Sequence, residues 1–287
     1  MTPPETDIAA LRDTLTELRA MTRSLSVRLE FRRPQAVKFS SAVAFRGLLG
    51  DVLFRDEPEM ARTFFKPDSD GFTPPPLAIR LMRDSGAGGE LFDHAEFVIS
   101  VLSRDRRQPE RLAELIRARF PGAEFGASGI SAAQVTVAEA EEIAFSEAGP
   151  EDLFRVSLDF RTPVRIKRHG IIIDPRSFSP AFVASALLER LNAFSAAYGS
   201  GAAVPTTGFV ARAALLPIRE KEIRYRTQQR TSGNTGQKIH LSGCVGTMVM
   251  DRCPADLVWL FHWGSHFGVG RHTSAGGGMY RFHAERL

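Results

Sequence analysis

The chain contains only two cysteines, Cys244 and Cys253, among its 287 residues. Two cysteines cannot build a disulfide framework or a cysteine-rich zinc site, so the sequence favours a reducing compartment. No apolar run reaches the ~20 residues that a membrane-spanning helix needs. The first residues also lack the apolar core of a signal peptide. We therefore expect a cytoplasmic protein that does not enter a membrane.

Motifs that hold metals or nucleotides are also missing. Asp93-His94 and Asp174 stand alone, without a His-x-x-x-His or Asp-x-Asp pattern to complete a metal site. The glycine-rich segment near the C-terminus lacks the lysine pattern of a phosphate-binding P-loop, and no long helix pattern follows it. The sequence does not indicate a two-metal nuclease, and we expect no metal and no cofactor.

Lysine is scarce, because only five of the 37 basic residues are lysines and the others are arginines. Charge is unevenly distributed: residues 1–150 have a net charge of −4, and residues 151–287 have a net charge of +8. A basic half suggests a polyanionic partner, and arginine suits bidentate contacts to phosphate and stacking on bases. The alternative for the arginine excess is a GC-rich genome, which favours arginine codons everywhere.

Basic residues cluster at three places in the sequence. The strongest cluster surrounds Tyr225 on a predicted hairpin, here named the basic ribbon, and consists of Arg219, Lys221, Arg224, Arg226, Arg230 and Lys238. Such a ribbon can follow a phosphate backbone and stack a base on its aromatic ring, or it can be a solvated edge hairpin. The second cluster consists of Arg161, Arg165, Lys167 and Arg168, and it fits a solvent face equally well. A third cluster, within residues 104–119, fits an ordinary surface helix better.

Hydrophobic periodicity predicts a similar order of elements in each half of the chain. In the first half we predict helices over 7–21, 41–55, 58–65 and 109–120 and strands over 24–31, 77–82, 92–102 and 134–145. In the second half we predict helices over 179–198 and 254–261 and strands over 154–168, 209–216, 223–231, 238–250 and 279–283. These orders approximate the β-α-β-β-α-β pattern. We therefore predict an α+β protein with two tandem ferredoxin-like (RRM-like) domains, residues 1–150 and 151–287, joined near residues 146–152.

A glycine-rich segment lies near the end of the second half. It reads Phe267-Gly-Val-Gly-Arg-His-Thr-Ser-Ala-Gly-Gly-Gly-Met-Tyr280, and an earlier glycine-containing segment reads His240-Leu-Ser-Gly-Cys-Val-Gly246. Glycine has no Cβ, so such a loop can bring backbone N–H groups close to a phosphate chain. The polar side chains within the loop can supply further donors.

Four segments are informative together: Phe45-Arg-Gly-Leu-Leu-Gly50, Phe64-Phe-Lys-Pro67 with Pro74-Pro-Pro76, Arg224-Tyr-Arg-Thr-Gln-Gln-Arg230, and the glycine-rich loop from Val269 to Tyr280. In this order they resemble motifs of the CRISPR-associated endoribonucleases of the RAMP superfamily, which process precursor crRNA. The first segment is similar to the first-helix motif of that family, and the last is similar to its C-terminal loop. The short, arginine-rich chain would suit a type IV variant.

The resemblance implies tandem ferredoxin-like domains and a metal-independent endoribonuclease. Such an enzyme binds a CRISPR repeat hairpin and cuts precursor crRNA when a ribose 2′-hydroxyl attacks the adjacent phosphate. It then retains the mature crRNA, so crRNA and other subunits of an effector complex are the expected partners. We predict RNA contact from Arg165, Lys167, Arg168, Arg224, Tyr225, Arg226, Arg230, Lys238, Gly270, Arg271, His272, Thr273, Ser274, Gly276, Gly277 and Gly278.

Many relatives place a catalytic histidine near the first helix, whereas this chain has no histidine before His94. We therefore predict catalysis mainly by geometry and electrostatics, with Arg23, Lys38 and Arg46 stabilising charge on the phosphorus. Two alternatives stay open. One is a RAMP-like subunit that binds crRNA without cutting it, and the other is a nucleotide-binding enzyme that uses the glycine-rich loop for phosphates.

Overall fold

The computed structural model describes residues 3–37, 39–65, 73–83, 90–125, 130–140, 149, 151–168, 170–227, 229–231, 238–273 and 276–287. The chain forms two compact units. The N-terminal unit consists of Leu18–Glu142 and Ser274–Gly276, and the C-terminal unit consists of Met1–Glu17, Ile143–Thr273 and Gly277–Leu287. The first helix, α1 (Glu5–Met21), therefore lies mostly in the C-terminal unit. The domain limits predicted from the sequence stay a prediction.

The N-terminal unit contains an antiparallel sheet and three further helices. Its elements are β1 (Thr22–Ala36), α2 (Phe39–Asp56), α3 (Pro58–Phe65), β2 (Leu77–Leu81), β3 (Leu91–Leu102), α4 (Arg107–Arg119), β4 (Glu124–Phe125) and β5 (Ile130–Glu139). The strands lie in the order β2-β3-β1-β5-β4. When the short β4 is set aside, this is a β-α-β-β-α-β unit with its first and third strands in the centre, which is the ferredoxin-like arrangement.

The C-terminal unit repeats this arrangement. Its elements are β6 (Leu153–Val164), β7 (Lys167–Arg168), β8 (Ile171–Ile172), α5 (Pro180–Tyr198), α6 (Thr207–Ala214), β9 (Ile218–Arg226), β10 (Gln229–Thr231), β11 (Lys238–His240), β12 (Gly243–Pro254), α7 (Ala255–Phe267) and β13 (Tyr280–Arg286). The main sheet has the order β13-β6-β12-β9, while β7-β8 and β10-β11 form separate hairpins. The predicted α+β fold with two tandem ferredoxin-like domains is confirmed. None of the helices in the described ranges is both long and apolar enough to cross a membrane.

The predicted strand over residues 209–216 is wrong, because helix α6 occupies most of it. Phe209 and Ala213 lie four residues apart and are both buried, so the apolar residues follow a helical period. Strand β9 begins at Ile218, ahead of the predicted start at residue 223. Strand β5 ends at Glu139, and the part of its prediction beyond residue 140 lies outside the described residues.

Aromatic packing fixes helix α2 on the sheet of the N-terminal unit. Phe45 of α2 stacks on Phe97 of β3 with the ring centroids 4.4 Å apart. Phe120 lies against the same ring of Phe45 at 5.3 Å. All three rings are fully buried, and each stabilises the fold by about 2 kcal/mol relative to an exposed ring. The motif that resembles the first helix of the family is therefore a core-forming segment.

Close packing in the C-terminal unit fixes the two elements that flank the glycine-rich loop. Trp263 and Phe267 of α7 meet the ring of Phe194 edge-on, with centroid distances of 5.8 and 5.2 Å. The hydroxyl group of Tyr280, at the start of β13, donates a hydrogen bond to the Phe261 carbonyl at 2.5 Å. Because α7 and β13 are tied together in this way, the loop between them begins and ends at fixed points.

A largely buried ion pair joins α6 to α7. Arg212 Nη1 donates to the Asp256 carboxylate at 3.1 Å, and only 4% of the Asp256 side chain is exposed. Burial raises the pKa of Asp256, and the positive charge of Arg212 opposes that rise. Replacing Arg212 by methionine would leave a buried carboxylate without its partner. We expect the free energy of unfolding of R212M to fall by about 2 kcal/mol near neutral pH.

The loss of unfolding free energy in R212M should become smaller at acidic pH. A raised folded-state pKa means that the destabilisation by the charged carboxylate develops as the pH rises through that pKa. It is absent below the unfolded-state pKa of about 3.9. Chemical denaturation near pH 4 and near neutral pH measures this difference, and R212M combined with Asp256→Asn is the control that should remove it. An equal loss at both pH values in R212M would contradict the role given to Asp256.

Candidate nucleic-acid interface

Three strands of the C-terminal unit meet at one end of its sheet. Cys244, near the start of β12, pairs with Val164 at the end of β6 and with Tyr225 near the end of β9. Gly243 lies so close to Val164 that a Cβ on it would be 2.7 Å from the carbonyl carbon. Since adjacent strands lie ~5 Å apart, Tyr225 is about 10 Å from Val164 across the sheet. The basic ribbon and the segment that follows β6 are therefore neighbours.

The glycine-rich loop, residues 268–278, is bound to the same end of the sheet by backbone hydrogen bonds. The N–H of Arg271 donates to the Arg165 carbonyl at 3.0 Å, and the N–H of Gly278 donates to the Pro163 carbonyl at 2.9 Å. Across the loop, the N–H of Val269 donates to the Gly278 carbonyl at 2.9 Å. These N–H groups are used within the protein, so they are not donors that a phosphate can approach.

Glycines in the loop are required by its packing. Gly270 has a φ of +79°, and a Cβ there would lie 2.6 Å from the Arg165 carbonyl oxygen. Gly278 has a φ of +67°, and a Cβ there would overlap the Val269 carbonyl. A side chain at Gly270 would therefore displace the loop from the end of β6, and a side chain at Gly278 would push apart the two ends of the loop.

Several residues predicted to contact RNA are either buried or outside the described residues. Thr273, Gly276, Gly277 and Gly278 are buried, so their contact with RNA stays a prediction, and their position does not favour it. Lys38 and Ser274 lie outside the described residues. The side chains of Arg230 and Lys238 lie outside them too, although their backbones form part of β10 and β11.

Within the described residues of the loop, Arg271 and His272 have exposed side chains. Partial covering by protein atoms lowers the pKa of His272, and the positive charges of Arg165 and Arg271 lower it further. Because an unperturbed histidine has a pKa of about 6.5, the imidazole is mainly neutral near pH 7. Two guanidinium groups and a neutral imidazole thus lie together, an arrangement that can bind a phosphate and exchange a proton with a nearby hydroxyl.

Helix α5 places an arginine under the loop that the sequence analysis did not identify. Arg190 Nη2 donates to the Gly270 carbonyl at 2.5 Å. Its Nε is buried and has no hydrogen-bond partner among the described residues. Burial lowers the pKa of Arg190 to about 10, so the group remains charged near neutral pH. In the sequence it is one polar residue among several on a helix, and no motif distinguishes it from a surface arginine.

The part of the basic ribbon that lies on β9 is an exposed edge strand of the main sheet. Arg224 and Arg226 share one face of β9, and Tyr225, whose exposed fraction is 45%, points to the other face. Neither Arg224 nor Arg226 forms an ion pair with another residue in the described part of the chain. Their charges are therefore accessible to an anionic partner at the end of the sheet.

Farther from the loop, the ribbon is engaged with the protein itself. Arg219 Nη1 lies 3.7 Å from the Asp251 carboxylate, and Lys221 Nζ donates to the Arg176 carbonyl at 2.8 Å. The positive charge that remains accessible is thus concentrated at the end of β9 that is nearer to the loop.

The second basic cluster is partly neutralised. Arg161 forms a 2.6 Å ion pair with Asp159, and Arg168 forms a 3.2 Å ion pair with Glu189 of α5. Lys167 on β7 is exposed and has no ion-pair partner within the described ranges. Of the predicted RNA contacts on β7, Lys167 is therefore better placed than Arg168.

Two predicted catalytic cations, Arg23 and Arg46, lie in the N-terminal unit. Arg23 Nη1, at the start of β1, donates to the carbonyl of Thr22 at 2.8 Å and to that of Ala20 at 3.2 Å. The guanidinium of Arg46 on α2 lies 4.8 Å from the ring centroid of Phe65. Both arginines are half-buried, and their catalytic role stays a prediction.

Side chains that bind metals are dispersed over the described part of the chain. No three His, Cys, Asp or Glu residues there converge as a metal-binding group. The two cysteines are buried, and burial raises the pKa of Cys244 to about 11, so its thiol stays protonated near neutral pH. Asp93 binds His94 Nδ1 at 2.6 Å, which forms a local pair on β3.

The family model of the CRISPR-associated endoribonuclease Cas6 matches residues 158–280. The match begins in β6 and ends at the first residue of β13, so it contains β9, β12, α7 and the glycine-rich loop. No curated protein sequence is significantly similar to the chain. Two of the four resembling segments, Arg224–Arg230 and the glycine-rich loop, lie within the matched residues, so the resemblance to crRNA-processing endoribonucleases is confirmed over that region.

Solved Cas6 structures have the fold of nearly the whole chain. A Cas6 product complex is 21% identical with a TM-score of 0.57, and the alignment covers 92% of this chain and 99% of that one. A Cas6 from Thermus thermophilus is 16% identical with a TM-score of 0.57, with coverages of 92% and 98%. A partial Cas6-RT-Cas1–Cas2 complex is 14% identical with a TM-score of 0.60, with coverages of 92% and 46%. At these identities the likeness shows the fold.

Proposed function

We propose that this chain, a relative of the Cas6 endoribonucleases over residues 158–280, cleaves the repeats of precursor CRISPR RNA without a metal ion. The observation that supports the proposal most is the arrangement within the matched region. There the basic ribbon and the glycine-rich loop flank the same end of the C-terminal sheet. An RNA hairpin laid across this end would meet the concentrated positive charge of the chain's basic half.

The exposed cations would hold the RNA by its backbone. Arg224, Arg226 and Arg271 each offer a guanidinium group that can bind a phosphate through two hydrogen bonds. Tyr225, on the opposite face of the edge strand, would stack on an unpaired base. Phosphate contacts give affinity and position, so the specificity for a repeat would also depend on the shape of its hairpin.

In the proposed reaction, the ribose O2′ attacks the adjacent phosphorus. A bond from O2′ to phosphorus forms, the bond from phosphorus to O5′ breaks, and the products end in a 2′,3′-cyclic phosphate and a 5′-hydroxyl. Arg23, Lys38 and Arg46 are proposed to stabilise the negative charge that builds up on the phosphate oxygens. Arginine stays protonated at neutral pH and cannot take the proton of the attacking hydroxyl, so another group must accept it.

Cleavage of 5′-labelled repeat RNA by the purified protein in excess EDTA tests this function. We expect one cut site, a cyclic phosphate on the upstream product, and no cut when the ribose at that site is 2′-deoxy. The triple variant Arg23→Gln, Lys38→Gln, Arg46→Gln should cleave at least about 100-fold more slowly, because it loses the charges that stabilise the transition state. Loss of cleavage in EDTA would contradict the metal-independent reaction, and unchanged cleavage by the triple variant would refute these three assignments.

A second candidate is a subunit that holds crRNA without cutting it. The absence of any histidine before His94 favours this alternative, because the region where many relatives place a catalytic histidine then lacks the usual proton-transfer side chain. Tight binding of repeat RNA with no product in the same assay would support it.

We further propose that the chain retains mature crRNA and joins other CRISPR proteins, in line with the Cas6 that occurs in a complex with Cas1 and Cas2. Copurification of RNA and partner proteins from the native host tests this point.

A further inference from the structure

The backbone at His272 is unusual for a residue with a side chain. Among the described residues other than glycine, only Arg252 and His272 have a left-handed φ, and that of His272 is +64°. This conformation costs an L-amino acid roughly 1–2 kcal/mol, whereas glycine adopts it without strain. The loop contains glycine at several other left-handed positions, so a histidine here retains an imidazole at the expense of backbone strain.

Hydrogen bonds hold the backbone on both sides of this residue. The carbonyl of His272 accepts from the N–H of Gly277 at 3.0 Å, and the N–H of Arg271 donates to the Arg165 carbonyl at 3.0 Å. Below them, Arg190 holds the Gly270 carbonyl. The backbone that carries the imidazole is therefore fixed relative to the end of the sheet. Such fixation is required of a group that must meet a reacting atom in one geometry.

The ring itself has no evident structural task. It makes no hydrogen bond with any described residue, it is exposed, and it lies close enough to Arg165 and Arg271 for their charges to lower its pKa. Other histidines are engaged differently: His94 is bound to Asp93, and the ring of His262 stacks on Phe282 at 5.0 Å. A phosphate bound by the exposed Arg271 would bring the adjacent ribose to the neighbouring imidazole.

We propose that His272 is the general base of the cleavage reaction, accepting the proton of the 2′-hydroxyl as that oxygen attacks the phosphorus. This inference rests on the endoribonuclease function proposed above. The bond from phosphorus to O5′ breaks, the O5′ takes a proton from water, and the imidazolium returns its proton to the solvent. Partial burial lowers the pKa of His272 most, and the positive charges of Arg165 at the end of β6 and Arg271 in the loop lower it further, so the imidazole is neutral and ready to accept a proton.

Two substitutions remove the imidazole without adding strain. His272→Asn suits the left-handed conformation and keeps a polar side chain that does not titrate, and His272→Gly relieves the backbone and leaves space for added imidazole. Under single-turnover conditions we expect both variants to cleave repeat RNA at least about 100-fold more slowly than the wild type. Their affinity for repeat RNA with a 2′-deoxy ribose at the cut site should stay within about threefold of the wild type, because the phosphate ligands remain.

The pH dependence and chemical rescue separate catalysis from a structural effect. The wild-type rate should rise with pH through the lowered pKa of His272 and then level off, and this rise should be absent in His272→Asn. Imidazole in the buffer should restore part of the rate of His272→Gly. Cleavage within about threefold of the wild type by both variants, with an unchanged pH profile, would overturn the role of His272 while the endoribonuclease function stands. A wild-type protein that binds repeat RNA but never cuts it would overturn both.

Discussion

Replacing Arg224 and Arg226 together by glutamine should lower the affinity for repeat RNA about 100-fold, since each charge-assisted hydrogen bond to phosphate contributes about 1.5 kcal/mol. Both side chains are exposed at the end of β9. The slope of log affinity against log salt concentration should become shallower by about 1.5–2, because two fewer phosphates are neutralised. Titration of labelled repeat RNA at several salt concentrations measures both quantities.

A double variant with the same loss of charge on α4 is the matched control. Arg111 pairs with Glu57 at 2.6 Å and Arg119 pairs with Asp56 at 2.8 Å, so these charges are already compensated. Arg111→Gln with Arg119→Gln should change RNA affinity by less than about threefold, because these exposed arginines already pair with carboxylates and exposed ion pairs contribute little. Equal losses in the two double variants would show that overall charge, and not the end of β9, governs binding.

Replacing Gly278 by alanine should destabilise the protein by about 3 kcal/mol and lower RNA affinity at least about tenfold. The left-handed backbone costs roughly 1–2 kcal/mol, and the overlap with the Val269 carbonyl costs roughly 1–3 kcal/mol more. Relief of that overlap would break the hydrogen bond between Val269 and Gly278 and release the loop that carries Arg271. Chemical denaturation and RNA titration of the same variant measure the two effects.

The control for this variant is Gly201→Ala in the same unit. Gly201 has a similar φ of +81°, but no atom lies within 4 Å of the position of its Cβ. It should lose only the backbone contribution of about 1 kcal/mol and bind RNA normally. An equal free energy of unfolding for Gly278→Ala and Gly201→Ala would contradict the claim that the position facing the Val269 carbonyl requires glycine.

The order of most elements could be predicted because a long segment with a regular hydrophobic period fits only one type of secondary structure. Helix α5 matched its prediction to within one residue, since Pro180 begins it, Gly199 follows it, and apolar residues recur at helical spacing between them. Helix α6 was mistaken for a strand because it has only eight residues, and so short an apolar run fits both periods.

The glycines and Arg190 show why the site was only partly predictable. The loop was identified by its composition, but the sequence suggested that its glycines expose N–H groups to phosphate. In the structure, Gly243, Gly270 and Gly278 accommodate the carbonyl groups of neighbouring segments, two of which, Val164 and Arg165, are distant in the chain. Arg190 donates a hydrogen bond to the carbonyl of Gly270 in the loop. The two residues are far apart in the chain, so no local sequence pattern reveals this contact.

Photo-crosslinking of repeat RNA that carries 4-thiouridine, followed by mass-spectrometric mapping of the modified peptides, most directly tests whether RNA lies across this end of the sheet. We expect crosslinks on both the end of β9 at Tyr225 and the loop at His272, with both lost in the Arg224→Gln, Arg226→Gln variant. Crosslinks confined to α4, with neither of these two segments modified, would mean that the RNA follows another surface.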